Sequence, residues 1–226
     1  MKHAALALVI ASSGALRLAA QQPDVAARLN GRVRAEVVPA VAGVAASAAS
    51  RGLPVEPLIQ KAIEGGAKGR PAQQVIAAVR ALADQLGAAS GALRSGGFDH
   101  PDADLVEGGA YALGAGLSVR QVQQLARASR PPYEPALTLR VAGTLAALGV
   151  PPKNSLDLVE ALIDAGRSPS DLLDLPSEVQ AGVARGATPA QAAEGLARGA
   201  AHAPGSGPPG GVPPGQAKGR GNPHKP

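Results

Sequence analysis

Apolar residues along most of the chain recur every three or four positions, which is the spacing of amphipathic helices. This pattern predicts an all-α protein. Its helices are predicted at 25–49, 54–65, 71–93, 118–128, 134–148, 155–165 and 189–200. One further helix ends at Arg185 and starts at either Ser170 or Pro176, and another opens at Asp99-His100-Pro101.

Two of the predicted helices carry features that affect their packing. Pro39 lies in the middle of 25–49, where it either kinks the helix or breaks it into two. The helix that opens at Pro101 is glycine-rich, which allows a neighbouring helix to come close. Its apolar pattern is formed by Leu105, Val106, Tyr111 and Leu113.

A short glycine phrase separates many of these helices, with Pro, Ser or Thr following the glycine closely. A glycine just past a helix can adopt the left-handed conformation that closes the last turn. Pro, Ser or Thr immediately afterwards suits the first turn of the next helix. The glycines predicted to end helices in this way are Gly52, Gly116, Gly149, Gly166 and Gly186.

The spacing of the boundary glycines indicates a repeat. Gly149, Gly166 and Gly186 are 17 and 20 residues apart, and Gly116 precedes Gly149 by 33 residues. A pair of helices therefore takes roughly 33 to 40 residues, which is in the range of helical solenoids. The expected fold of residues 21–202 is a set of short helical hairpins, stacked as an irregular α-solenoid or packed as a compact helical bundle.

The hydrophobic residues are mostly small. They make up 45% of the 226 residues, and Ala, Leu and Val supply nearly all of them. Phe98, Tyr111 and Tyr133 are the only aromatic residues, so the helices must approach closely around a thin, Ala-rich core. The chain contains no cysteine, which excludes disulfides, thiolate metal sites and thiol nucleophiles.

Residues 1–20 have the pattern of an export signal, with a basic start at Lys2, a short apolar stretch and then small residues. Cleavage is expected after Ala20, with Ala15 as the competing position, and an ordinary first helix is the alternative interpretation. The apolar run is shorter than the ~20 residues of a membrane-spanning helix. The mature chain is therefore expected to lack a transmembrane segment and to be periplasmic or secreted.

Residues 203–226 are largely Gly and Pro, a composition that predicts a disordered tail. The tail and the N-terminal segment also account for the formal net charge of +5, through Lys2, Arg17, Lys218, Arg220 and Lys225. The intervening body is near neutral and poor in aromatic residues. It lacks the basic face and stacking side chains of a nucleic-acid reader, so no nucleic-acid partner is expected.

One cluster has side chains suited to metal or acid–base chemistry, namely Asp99, His100, Asp102 and Asp104. It lacks the glycine and the spacing of a calcium loop. Acidic residues at a helix start commonly cap the helix, so capping is the favoured interpretation. Metal binding, and with it a metal-dependent hydrolase, is the alternative. No catalytic, cofactor-binding or metal-binding residue is assigned.

Two other segments have both a functional and a structural interpretation. Residues 65–70 are glycine-rich with two cations, but they lack the ending of a nucleotide-binding loop, which favours a turn between helices. Lys61, Glu64 and Lys68 beside them predict a solvated face with weak ion pairs. Tyr133, after two prolines, either marks a recognition corner or packs inward at a rigid turn, and the second is favoured.

These observations favour a non-enzymatic, exported helical scaffold or binding protein. Helical arrays offer concave surfaces and need no catalytic residues, so we expect a partner to bind in a groove between helices. The expected partner is a protein or a polymer of the bacterial cell envelope. The alternatives are an envelope-associated spacer that acts through its basic tail and, less favoured, the metal-dependent hydrolase. No feature of the sequence selects an oligomeric state.

Overall fold

The computed structural model describes residues 25–202, so the predicted signal segment (1–20) and the predicted tail (203–226) lie outside the described residues. Within 25–202 the regular structure is helical, which confirms the all-α prediction. A short helical segment at 25–29 comes first. It is followed by α1 (Val37–Ser50), α2 (Glu56–Ala67), α3 (Ala72–Ser95), α4 (Ala103–Gly114), α5 (Val119–Ala128), α6 (Pro135–Ala147), α7 (Pro152–Asp164), α8 (Pro169–Ala184) and α9 (Pro189–His202).

The predicted boundary glycines do end helices in the left-handed conformation. At the end of α6, Gly149 has a φ of 90°. Its N–H donates to the carbonyl of Ala146 at 2.9 Å, and the N–H of Val150 donates to the carbonyl of Leu145 at 3.1 Å. These bonds satisfy carbonyls that the helix end would otherwise leave unpaired. The other four predicted positions also have positive φ: Gly52, Gly116, Gly166 and Gly186.

The next helix often starts with a reciprocal cap. Ser118 precedes α5, and its hydroxyl accepts from the N–H of Gln121 at 3.3 Å, while the Gln121 side chain accepts from the N–H of Ser118 at 2.8 Å. Ser168 and Asp171 form the same arrangement at the start of α8. Each capping residue of this kind contributes about 1 kcal/mol to helix stability. The glycine phrase therefore encodes both sides of a helix boundary.

The predicted helix at 25–49 is broken, and the break precedes Pro39. Turns and bends at 30–36 separate the helical segment at 25–29 from α1. Gly31 takes a φ of 74° within this interruption. Pro39 lies in the first turn of α1, where its missing N–H has no intrahelical acceptor to lose. The proline therefore neither kinks nor ends the helix that contains it.

Several other boundaries differ from prediction by two or three residues. Helix α7 starts at Pro152 rather than 155. Helix α8 starts at Pro169, one residue before the first of its two predicted starts, and continues through Pro176, which excludes the second. Helix α2 extends two residues beyond the predicted 65, so that Gly65 and Gly66 lie inside it. Proline at the first helical position explains the earlier starts of α7 and α8, because its φ is already helical.

The helices form two rows, as expected for a solenoid. Within 25–202, helices in substantial contact are never more than two places apart in chain order. An odd-numbered row runs through α1, α3, α5, α7 and α9, and an even-numbered row contains α4, α6 and α8. Side-chain hydrogen bonds tie successive repeats together at separations of 31 residues (Gln123 to the Ala92 carbonyl) to 40 residues (Asn154 to Glu194). These separations lie within or just below the predicted repeat of roughly 33 to 40 residues, and together with the contacts between near neighbours they indicate an irregular α-solenoid.

The core is Ala-, Leu- and Val-rich, as predicted, and it depends on close approach. A Cβ built on Gly108 of α4 would lie 2.7 Å from the carbonyl oxygen of Ala136 in α6. A Cβ on Gly182 of α8 would lie 2.8 Å from the Cβ of Ala192 in α9. No helix among the described residues combines the length and apolar character needed to cross a membrane.

Candidate functional site

The even-numbered row is interrupted between α2 and α4. Helix α2 packs against α1 and α3, but within 25–202 it makes no substantial contact with α4. Helix α3 packs against both α2 and α4, so its side chains form the floor of the gap. The gap is a groove of about 800 Å³ lined by residues of α2, α3, α4 and α6.

The groove surface is mainly small and apolar. Leu86 is buried in the floor, whereas Ala81 is exposed to solvent. Ligand sites typically combine such a concave apolar surface with a few polar groups that fix orientation. The polar groups here include Gln85 and Thr144. The apolar lining consists mainly of Pro57, Ala78, Ala81, Leu82, Leu86, Ala110, Ala115 and Ala147.

Tyr111 is the aromatic side chain of the groove. It was expected on the apolar face of its helix, but 46% of it is exposed. Its ring lies against Gly143 of α6, where a Cβ would come within 2.8 Å of the ring Cδ1 atom. Its hydroxyl lies 3.4 Å from the hydroxyl of Thr144. Gly143 therefore leaves the space in which the ring lies along α6.

One end of the groove is acidic. The Arg140 guanidinium lies 3.4 Å from Asp104 and 3.9 Å from Glu107. Burial raises the pKa of Glu107, and the nearby Arg140 charge opposes that rise. Two carboxylates share one guanidinium, so these three residues carry an excess of negative charge. Glu107 and Arg140 line the groove, and Asp104 lies beside them as the second partner of Arg140, so we call these three residues the acidic end.

The other end is basic. A cavity of about 250 Å³ adjoins the groove, and Lys61 and Ala78 line both. Lys61 Nζ lies 3.1 Å from Glu64, and Lys68 pairs with the same carboxylate. These bonds, that from Lys68 above all, lower the pKa of Glu64 and confirm the predicted ion-paired face. Arg70 also lines the cavity, so we call Lys61, Glu64, Lys68 and Arg70 the basic end.

Lys68 and Arg70 lie in the turn that ends α2. Gly69 has a φ of 63°, and the N–H of Arg70 donates to the carbonyl of Gly65 at 3.0 Å. The predicted inter-helix turn is present, although Gly65 and Gly66 belong to α2. A Cβ on Gly66 would lie 2.3 Å from the carbonyl oxygen of Arg32, so this glycine also allows the chain at 30–36 to pack closely.

The acidic cluster around Asp99 is divided between capping and ion pairing. Asp102 caps α4, accepting from the N–H of Leu105 at 2.8 Å, so the helix starts later than Pro101. Asp104 faces Arg140 at 3.4 Å, while Asp99 and His100 are exposed. Across residues 25–202, no three acidic or histidine side chains form a group that could hold a metal ion. The capping interpretation is correct for Asp102.

Tyr133 packs inward, in agreement with the favoured interpretation. Only 7% of it is exposed, and its hydroxyl donates to the carbonyl of Arg167 at the start of the next repeat. Burial raises the pKa of this phenol. Tyr133 therefore connects repeats and is not available as a recognition corner.

Comparisons of the chain with protein-family models, curated proteins and solved structures find no match. Any functional inference therefore rests on the groove, on Tyr111 and on the two charged ends.

Proposed function

We propose that this protein is an exported, non-enzymatic helical binding protein that holds a segment of a polypeptide partner in the groove between α2 and α4. The observation that carries the proposal is the groove itself, an open concavity of about 800 Å³ in the wall of a solenoid. Solenoids characteristically bind partners through concave surfaces of this kind. Export rests on the signal-like pattern of residues 1–20.

The chemistry of the lining supports a polypeptide over a carbohydrate polymer of the envelope. Sugars are hydroxyl-rich, whereas the floor consists largely of alanine and leucine side chains such as Ala78 and Leu82. Apolar side chains of a peptide gain about 25 cal/mol for each Å² that they bury on such a surface. Tyr111 adds a rigid aromatic contact with a polar tip, the type of residue that often dominates binding energy at interfaces.

The lining also supports binding over catalysis. Among the described residues that line the groove there is no histidine, cysteine or serine. Its one hydroxyl other than that of Tyr111 belongs to Thr144, which donates to the carbonyl of Arg140 at 2.8 Å. The ionisable groups of the acidic end face one another, an arrangement suited to orienting a ligand.

Site-specific photocrosslinking in a producing bacterium tests this proposal. A photoreactive phenylalanine analogue replaces Tyr111, and a matched control carries the same group at Leu173, an exposed apolar position of α8 outside the groove. Periplasm and medium are then analysed by mass spectrometry of the adducts. We expect a polypeptide adduct from position 111 that is absent at position 173 and is lost when Ala81→Trp fills the groove.

Three outcomes would contradict the proposal. An adduct that survives the groove-filling substitution does not depend on the groove. Equal adducts at positions 111 and 173 indicate non-specific contact, and an adduct that consists of glycan identifies an envelope polymer as the ligand. Circular dichroism of the Ala81→Trp variant verifies that the fold is retained.

A further inference from the structure

The groove lies in the even-numbered row, in the gap between α2 and α4. Successive helices α4, α6 and α8 pack against one another in that row, whereas α2 and α4 are separated by the groove. Its floor exposes Ala81 to solvent, and its walls expose Gly114 and Ala147. Elsewhere in the row, helix sides of similar composition receive a neighbouring helix, as Gly108 does with Ala136. The lining of the groove therefore resembles the helix sides that pack against a neighbouring helix elsewhere in the row.

The length of the groove sets the length of its occupant. On α3, the lining runs from Gln74 in the basic-end cavity to Leu86 in the groove. With a rise of 1.5 Å per residue, this distance along α3 is about 18 Å. A helix of about three turns spans it, and one side of such a helix presents three or four apolar side chains.

The two ends of the groove have opposite charge. At the basic end, Glu64 is the one carboxylate lining a cavity that also receives Lys61, Lys68 and Arg70, which leaves an excess of two positive charges. At the acidic end, Asp104 and Glu107 share Arg140. Glu56, which adds to the negative potential at Glu107, is itself paired with Arg28. Glu56 is the first residue of α2, whereas Lys68 and Arg70 follow its last residue, so the two excess charges lie toward opposite ends of that helix.

The following inference rests on the proposed function. We propose that the partner segment is an amphipathic helix of about three turns. It has an acidic side chain at one end of its apolar face and a basic side chain at the other. The acidic side chain meets the basic end of the groove at Lys68 and Arg70. The basic side chain meets Asp104 and Glu107. Tyr111, between the two ends, packs against the apolar face.

Four synthetic peptides of about twelve residues test this assignment against the full-length protein. They share one Leu/Ala apolar face and blocked termini, and they differ only in their end residues: Lys and Glu, two Lys, two Glu, or two Gln. Fluorescence anisotropy measures each dissociation constant at low salt and at about 0.15 M salt. An apolar groove beside a cationic cavity also suits an anionic amphiphile. Palmitate is therefore tested as a probe of that alternative.

We expect the Lys/Glu peptide to bind about three- to tenfold more tightly than any of the other three, with the difference shrinking as salt increases. The double variant Lys68→Glu/Arg70→Glu should reverse the preference, so that the peptide with two Lys residues binds best. The matched control, Arg120→Glu/Arg185→Glu, makes the same charge change at exposed positions outside the groove and should keep the original preference.

The outcomes separate this inference from the proposed function. Equal binding of all four peptides, lost on Ala81→Trp, contradicts the charged-end assignment while the groove remains a peptide site. Binding of palmitate without any peptide overturns the helix assignment in favour of an amphiphile. Failure of every probe, with a groove-dependent crosslink from position 111, also overturns the helix assignment but leaves the proposed function standing.

Discussion

Gly108 of α4 lies directly against the backbone of Ala136 in α6: a Cβ on this glycine would come within 2.7 Å of the Ala136 carbonyl oxygen. The obstacle is backbone, which cannot rotate away as a flexible side chain does. The contact lies where the even-numbered row is most closely packed, next to the wall of the groove.

Gly108→Ala should therefore destabilise the protein by about 1–3 kcal/mol, because the added methyl group forces α4 away from α6. Gly91→Ala is the matched control, since Gly91 is also inside a helix but a Cβ there would have no neighbour within 4 Å. That control should gain up to about 1 kcal/mol from its better helix propensity. Urea unfolding monitored by circular dichroism measures the stability of both variants. Stabilisation by Gly108→Ala would contradict the close approach of α4 to α6.

The boundary glycines make a second prediction. Gly116→Ala and Gly149→Ala should each cost about 1 kcal/mol or more, because φ values of 103° and 90° strain any residue with a Cβ. Gly149→Asn should cost less than Gly149→Ala, since asparagine tolerates the left-handed region better. Gly207→Ala, in the predicted tail, should leave thermal stability unchanged. Equal losses at all three glycines would refute the boundary interpretation.

The Arg28–Glu56 ion pair predicts a pH dependence of stability. Hydrogen bonds from Arg28 first, and then from Gln60, lower the pKa of Glu56 from 4.5 to about 2. The stabilisation from this carboxylate is therefore fully present above pH 4.5 and is lost as the pH falls from 4.5 to about 2. Glu56→Gln should remove this part of the pH dependence. At neutral pH it should cost less than about 1 kcal/mol, because the pair is solvent-exposed.

Glu107 should have the opposite effect on the pH dependence of stability, so it serves as a control for Glu56. Its pKa is raised, chiefly by burial, so its ionisation disfavours the folded state as the pH rises above the ordinary carboxyl range. Relative to the parent protein, Glu107→Gln should become more favourable as the pH increases through that window. Urea unfolding at a series of acidic pH values measures the free energy of unfolding of Glu56→Gln and Glu107→Gln relative to the parent protein. The assignments would be contradicted if both differences changed in the same direction as the pH rises.

The proposed export predicts a defined mature N-terminus. Mass spectrometry of the protein from fractionated cells should find a start at Gln21 or Leu16 in the periplasm or medium. An intact Met1 in the cytoplasm would contradict export and direct the search for partners to the cell interior.

Deletion of residues 203–226 distinguishes binding through the groove from the alternative of a spacer that acts through its basic tail. If the groove binds the partner, the crosslink from position 111 should persist in the truncated protein. If the truncated protein loses both its association with the envelope and the crosslink from position 111, the tail is instead favoured as the site of attachment.

The sequence predicted the features that are encoded locally. The glycine phrase is a property of a few consecutive residues, and it marked Gly116 and Gly149 correctly because the left-handed conformation is set by the backbone itself. The repeat followed from the same spacing. The interruption at 30–36 was missed because Val33 continues the helical apolar spacing through it.

The groove could not be predicted in the same way, because it depends on where two helices fail to meet. Tyr111 lies on a helix whose apolar pattern is continuous, and its exposure follows from the separation of α2 from α4. The charged ends share this origin: Lys61 and Glu107 are 46 positions apart in the sequence, and folding brings both to the lining of one groove. Such relationships arise only from tertiary packing.

The restriction of helix contacts to near neighbours also affects how the chain folds. Loops that must close to form contacts between adjacent repeats are short, so the entropy lost before the first contacts form is small and folding should be rapid. The free energy of unfolding is then approximately the sum of contributions from the individual repeats and from the interfaces between neighbouring repeats. Damage at the α9 end need not spread to the groove. A chain organised in this way can keep the groove between α2 and α4 intact while its distal repeats fray.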